Sequence, residues 1–223
     1  MHLDPEKATK VDLSYNINSE VVNLFVNGYL NYTTDYISQV TKMDGERLIT
    51  TYANADSDLK TGVELSLKVT PAKWVNFSVS ANTYYVTTEG IFKGTHIDNN
   101  GWTNNSNLMF NFIPWKGGDI QVQYFVTTPQ YYPQLTTSLT HQMNIGIKQR
   151  LLKSAMTVSV LVTDVLNTAK WEVWSHNNLF DLINSSKNKS RMLWLGVSYN
   201  FNSFKQKGGQ KTETNRSLIR LGM

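Results

Sequence analysis

Apolar and polar residues alternate with a period of two along most of this chain, as half-buried strands require. In "LWLGVSYNF" (193–201), Leu193, Leu195, Val197, Tyr199 and Phe201 share one phase, and Trp194, Gly196, Ser198 and Asn200 the other. The same alternation puts Val11, Leu13, Tyr15 and Ile17 on one face, then Val63, Leu65, Leu67 and Val69, then Val75, Phe77, Val79 and Ala81. It returns in Ile120, Val122, Tyr124 and Val126, and in Met156, Val158, Val160 and Val162. Two further segments, 21–36 and 104–113, are noisier because Phe25, Tyr29 and Met109 fall on the polar phase. The pattern predicts nine strands: 9–17, 21–36, 48–70, 74–88, 104–113, 119–128, 137–150, 155–166 and 190–201.

The connections carry the next piece of information. "NSE" (18–20), "PAK" (71–73), "WKGGD" (115–119) and "LKSA" (152–155) are tight turns, whereas 37–47, 89–103, 129–136 and 167–189 are long polar or aromatic loops. Short and long connections alternate, so an up-and-down meander would gather all short turns at one end and all long loops at the other. A Greek-key sandwich mixes its ends and would not produce this. Outer-membrane barrels do produce it, with short periplasmic turns, long external loops and amphipathic strands of ~10 residues. Aromatics fall at both levels: Trp74, Trp115, Tyr199 and Phe201 at the short-turn end, and Tyr36, Tyr84, Tyr85, Trp102, Tyr131, Tyr132, Trp171 and Trp174 at the long-loop end. The apolar phase is then expected to meet lipid and the polar phase a wet lumen. That lumen would be lined by Glu64, Lys68, Asn76, Asn82, Asn111, Gln121, Gln123, Asn144 and Lys148.

The expected fold class is all-β: an antiparallel up-and-down transmembrane β-barrel over 1–201, followed by a polar, disordered periplasmic tail over 202–223. Nine is an odd number, and single-chain bacterial barrels have even ones because both chain ends lie in the periplasm. The expectation is therefore a C-terminal portion, about nine or ten strands of a larger, ~22-stranded barrel. The lack of an apolar leader after Met1 would have the same origin.

Composition adds three points. Charged residues make up 17% and aromatics 12%, and there is no run of about 18 apolar residues that could form a membrane helix. There are no cysteines, which excludes thiolate metal sites and a Cys nucleophile. The net charge of +4 is scattered over loops and tail rather than striped on one element, so nucleic acid is not an expected partner.

Several stretches, in order, resemble TonB-dependent outer-membrane receptors, and most closely the Bacteroidetes outer-membrane β-barrel family. They are "LDPEKATKVDLSYN" (3–16), "DGERLITTYANADSDLKTGVEL" (44–65), "PAKWVNFSVSANTYY" (71–85), "TVSVLVTDVLNT" (157–168) and the closing strand "RMLWLGVSYNF" (191–201). The resemblance covers about 3–201. It implies a cell outer membrane location, with outer-membrane lipid around the barrel. It also implies import of a small-molecule, glycan or peptide substrate past a plug domain coupled to the TonB complex. The terminal aromatics Tyr199 and Phe201 would be read by the barrel-assembly machinery. Whether a lipoprotein lid is a further partner is left open. The sequence departs from the receptors in lacking the plug, the TonB box and the first half of the barrel. Other readings of the same strands are a small stand-alone barrel (porin or adhesin) and a soluble carbohydrate-binding β-sandwich.

No catalytic residue, cofactor or metal site is expected. His96 and Asp98 in "GTHIDNNGW" lack further ligands. Asp56 and Asp58 lack the Gly and Glu of a calcium loop. His141 is best read as a wall residue; a rim triad of Ser138, His141 and Asp98 can be drawn but has no supporting motif. Asp164 and Asn167 suit a turn at the end of their strand. Binding chemistry is expected in the long-loop aromatics Trp102, Tyr131, Tyr132, Trp171 and Trp174, which could stack on sugar rings or flat chelates or serve as interfacial anchors.

Overall fold

A computed structural model describes residues 3–177 and 180–201. Its strands are β1 (Lys7–Asn18), β2 (Val22–Asp44), β3 (Arg47–Ala72), β4 (Val75–Glu89), β5 (Ile91–Phe92), β6 (Thr95–His96) and β7 (Asn99–Phe112). They continue as β8 (Gly118–Thr127), β9 (Thr136–Thr137), β10 (Thr140–Leu151), β11 (Met156–Thr163), β12 (Trp171–Asn177), β13 (Phe180–Ser186) and β14 (Met192–Tyr199). One nine-stranded sheet runs β1-β2-β3-β4-β7-β8-β10-β11-β14, and every pairing in it is antiparallel. This is the expected meander. The expected tail, 202–223, lies outside the described residues.

Register aligns the two phases across the whole sheet. Val22, Val69, Phe77, Phe110, Val122, Ile145, Val162 and Leu193 form one continuous apolar row from β2 to β14. Ser14, Asn27, Glu64, Asn82, Asn105, Thr127 and Thr140 form a polar row on the other face. A one-residue slip in any strand would swap its faces, so both rows must agree for either to exist. The apolar face is the exposed one: Leu13 is 82% and Leu195 75% exposed, against 3% for Asn144 and 4% for Gln121. A sheet that curls with its polar face on the inside, and leaves its apolar face for lipid, has this distribution. The polar face is largely self-paired, with Gln123 Oε1 buried and left without a hydrogen-bond partner. Asn111 Nδ2 donates to Asn76 Oδ1 (2.9 Å), Gln123 Nε2 to Asn107 Oδ1 (2.9 Å), and Tyr29 Oη to Asn82 Oδ1 (2.9 Å). Where polar groups interrupt the outward face they also pair, as Asn104 Nδ2 does with Thr83 Oγ1 at 2.6 Å.

The long-loop end differs from expectation. Residues 37–47 are not a loop: β2 and β3 run on, paired as far as Asp44 opposite Arg47. Gly45, at φ 63°, takes the left-handed position that this tight turn demands. The 23 residues of β2 would extend to about 75 Å, more than twice the length of the ~10 residues that cross the hydrocarbon. The phase changes at Asp35 (φ 56°): Leu30 and Tyr32 are exposed on the even phase below it, whereas Ser38 and Val40 are buried on the even phase above it. Val40 and Ala55 then pack with Phe92 and Ile97 from the β5–β6 hairpin in a small external core. The 89–103 connection thus holds a hairpin and the start of β7, and 167–189 folds into β12 and β13, with β9 beside β12. A strict two-residue period cannot reveal such extensions, because their packing is against other loops.

β1 and β14 form the two edges of the sheet and do not pair with each other among the described residues. All positions of β1 are exposed.

Candidate functional site: a cleft beneath an inward-folded loop

Residues 128–137, between β8 and β10, fold back over the polar face instead of standing away from it. Thr137 N donates to Gln130 O (3.0 Å), and Tyr132 and Leu135 exchange backbone bonds of 2.8 and 3.2 Å, closing a tight loop around Pro133 and Gln134. Three side chains lock this loop to the wall. Asn99 Nδ2 lies within hydrogen-bond reach of Tyr132 O (2.8 Å), Leu135 O (3.3 Å) and Thr136 Oγ1 (3.1 Å). Gln134, buried, accepts from Thr41 N at 2.6 Å through Oε1 and donates to Thr41 O at 3.1 Å through Nε2, like a strand partner. Thr103 Oγ1 donates to Pro129 O (2.9 Å). Tyr131 lies flat on Gly101, where even a Cβ would come within 2.2 Å of the ring. Gly101 is therefore required by this close approach.

Between loop and wall is a cavity of about 210 Å³. Tyr36, Tyr84, Tyr131 and Tyr132 line it, with Asp58, Lys60, Thr88 and Gln130. Lys60 Nζ is 2.8 Å from Asp58 Oδ2 and 5.6 Å from the centre of the Tyr36 ring. Thr88 Oγ1 donates to the other oxygen of the buried Asp58 (2.7 Å), so this carboxylate is held on both sides. Tyr84 Oη donates to Gln130 Oε1 at 3.2 Å. Lys60 and Tyr84 also border a wider, open trough of about 390 Å³ along the polar face, with Lys10, Asp12, Asn27, Glu64 and Asn105. Charges in the cavity cancel in a pair, and aromatic faces and hydroxyl and amide groups remain. This suits a small ligand that both stacks and hydrogen-bonds.

The structure brings Tyr131 and Tyr132 together here. Trp102 is not with them: it stands on the outward apolar phase of β7, 65% exposed and edge-on to Tyr85 at 5.4 Å, where a membrane-interface aromatic belongs. Trp171 and Trp174 lie on β12, partly exposed, and do not line the cavity. Tyr199 and Phe201 pack edge to face (4.8 Å) at the short-turn end. The sequence reading missed Lys60, Tyr36 and Gln134 as site residues. Lys60 on the inward phase between Asp58 and Gly62 was a usable signal; a lone Gln in a loop was none.

The other candidates are engaged elsewhere. His96 Nδ1 and Asp98 Oδ2 pair at 3.2 Å, both exposed, while Asp98 also caps Gly90 N. His141 Nδ1 meets Tyr124 Oη (3.0 Å), and Ser138 Oγ accepts from Glu172 N (3.1 Å), so Ser138, His141 and Asp98 do not assemble. Asp58 is spent on Lys60 and Thr88. No cluster of potential metal ligands occurs among the described residues. Asp164 and Asn167, both at positive φ, do form the turn after β11.

A single antiparallel meander with an exposed apolar face, a hydrogen-bonded polar face, and turns and loops sorted to opposite ends is the wall of an outer-membrane β-barrel. The family model for the outer membrane protein β-barrel family matches residues 1–199, and the chain belongs to that family. It is an outer-membrane protein. No curated protein and no solved structure matches it significantly.

Proposed function

We propose that the chain is the C-terminal barrel portion of a TonB-dependent outer-membrane receptor of the Bacteroidetes type. The receptor binds a nutrient at the external loops and imports it across the outer membrane. The observation that carries this reading is the open sheet. Its edges, β1 and β14, would leave backbone groups unpaired in lipid, which is not viable without further strands. The wall already buries polar residues on one face, which a lumen would fill. The ordered motif resemblance along 3–201 supplies the receptor identity. On this reading the plug and its TonB contact belong to the rest of the receptor. Tyr199 and Phe201 present the closing strand to the assembly machinery, and a lipoprotein lid has the external hairpins to sit on. The cavity under residues 128–137 is a contact point for the cargo, through Tyr131, Tyr132, Tyr84 and Lys60. The protein is not an enzyme on this reading, and it uses no cofactor.

The test is genetic. A strain lacking this gene is grown on a panel of sole nutrients: iron chelates, cobalamin, glycans and peptides. The expected result is loss of growth on one class, with the same class lost when TonB is deleted. Uptake that survives TonB deletion would refute the receptor reading and favour a stand-alone porin.

A further inference from the structure

The three inner turns of the short-turn end repeat one arrangement that transport does not explain. Each places an exposed lysine next to an exposed apolar residue: Lys73 with Trp74, Lys116 with Trp115, and Lys153 with Leu152. The tryptophans face the lipid side. Trp74 meets Phe112, on the outward phase, edge-on at 5.7 Å. Trp115 Nε1 donates at 2.6 Å to Gln149 Oε1, on the outward phase of β10 beside Ile147. Ile113 N also donates to Trp74 O (2.7 Å), which ties the β3–β4 turn to the β7–β8 turn. The result is a continuous belt at the lower edge of the apolar face, with a cation at each turn.

The charge balance at this end is one-sided. Lys68, Lys148 and Arg150 lie near the same end but on the inward phase, with Lys148 opposite Asp119, so the cations at the headgroup level are the three turn lysines. None of the three turn lysines forms an ion pair among the described residues. The ion pairs of Lys60, His96 and Lys170 all lie at the opposite, long-loop end. Cations at the headgroup level, held beside interfacial tryptophans and left without carboxylate partners, match an anionic surface.

We propose that this rim binds anionic phospholipid headgroups of the periplasmic leaflet. Lys73, Lys116 and Lys153 take the phosphates, and Trp74 and Trp115 set the depth. The proposal rests on the barrel orientation and not on the cargo, so it stands or falls apart from the receptor reading.

The full-length protein is reconstituted in bilayers of phosphatidylethanolamine with a minority of phosphatidylglycerol. The association of spin-labelled versions of the two lipids with the protein is then compared by electron paramagnetic resonance. The expected result is a preference for phosphatidylglycerol of up to about five-fold per lysine engaged, falling as salt is raised. A variant with Lys73→Gln, Lys116→Gln and Lys153→Gln should lose the preference, and Lys→Arg at the same positions should keep it. Retention of the heat-modifiable band on gels verifies that the variants are folded. Equal association of both lipids with the unaltered protein, or a preference unchanged by salt, overturns the proposal without any variant. So does a preference that survives in the folded triple-Gln protein.

Discussion

Replacing Gln134 by Ala should release the inward-folded loop while leaving the barrel wall intact. Gln134 makes two hydrogen bonds to one residue, at 2.6 Å from Thr41 N and 3.1 Å to Thr41 O, and it is almost fully buried. Truncation leaves that N–H and C=O without their partner. At about 1–3 kcal/mol for each such group, less what water recovers at this rim, the loop should lose roughly 2–4 kcal/mol of closing free energy. Each 1.4 kcal/mol is about ten-fold, so the open fraction should rise by roughly 30- to 1,000-fold. The remaining tethers are Asn99 and Thr103 on β7, which hold Tyr132, Leu135 and Pro129, and Tyr84 on β4, which holds Gln130. Chymotrypsin applied to intact cells reads this directly: Tyr131, whose ring lies against Gly101 when the loop is closed, is its site, whereas the Tyr132–Pro133 bond resists it. The expected result is rapid cleavage within 131–132 in Gln134→Ala and slow cleavage in the parent, with equal amounts of heat-modifiable barrel in both. Gln134→Glu should fall between them at neutral pH, since a carboxylate can accept from Thr41 N but cannot donate to Thr41 O. Cleavage at the parental rate in Gln134→Ala would show that the clamp does not hold the loop, and the cavity beneath it would lose its meaning as a built site.

Gly101→Ala should displace the Tyr131 ring, which a Cβ would meet at 2.2 Å, and weaken cargo uptake with the melting temperature nearly unchanged; Gly62→Ala, facing the backbone O of Thr83 at 2.6 Å, should instead lower stability. Leu65→Lys and Ser66→Lys put the same charge at one depth on opposite faces. The first should cost about 2–4 kcal/mol if near the bilayer midplane and the second close to nothing, measured as unfolding in lipid vesicles. Asp164→Ala should cost about 2–4 kcal/mol, because the carboxylate accepts from Thr168 N (2.9 Å), Ala169 N (3.2 Å) and Ser190 Oγ, and truncation orphans all three. Burial alone would raise the Asp164 carboxyl. The Ser190 hydroxyl and the two backbone N–H groups outweigh it and hold the group below the usual carboxylate range. Its contribution is thus complete at neutral pH and is lost as pH falls below about 4, so parent and Asp164→Asn melting curves should converge in acid.

How much of this was legible beforehand depends on what each residue answers to. Strand identity answers to the lipid–water boundary, which is periodic, so most of the nine strands could be read from alternation and their meander from the alternating short and long connections, while the row from Val22 to Leu193 needed the register. The strand ends could not be read in the same way. Above the membrane, Ser38 and Val40 answer to Phe92 and Ile97, a pairing that depends on where another hairpin folds, and Asp35 shifts the phase locally. Trp102 shows the same limit for function. Its position suggested a loop aromatic free to stack on cargo, yet strand β7 begins earlier than the alternation implied, at Asn99, and puts Trp102 on the outward face. Tyr131 and Tyr132 were visible as aromatics, but their site is made by three residues with no motif: Gly101, which must lack a side chain; Gln134, which mimics a strand; and Lys60, which is inward only because the β3 register is fixed from Thr61 to Val69. The wall of a barrel is set by its solvent and can be read locally. The contents of its mouth are set by contacts between loops distant in sequence, of which a single chain carries no periodic record.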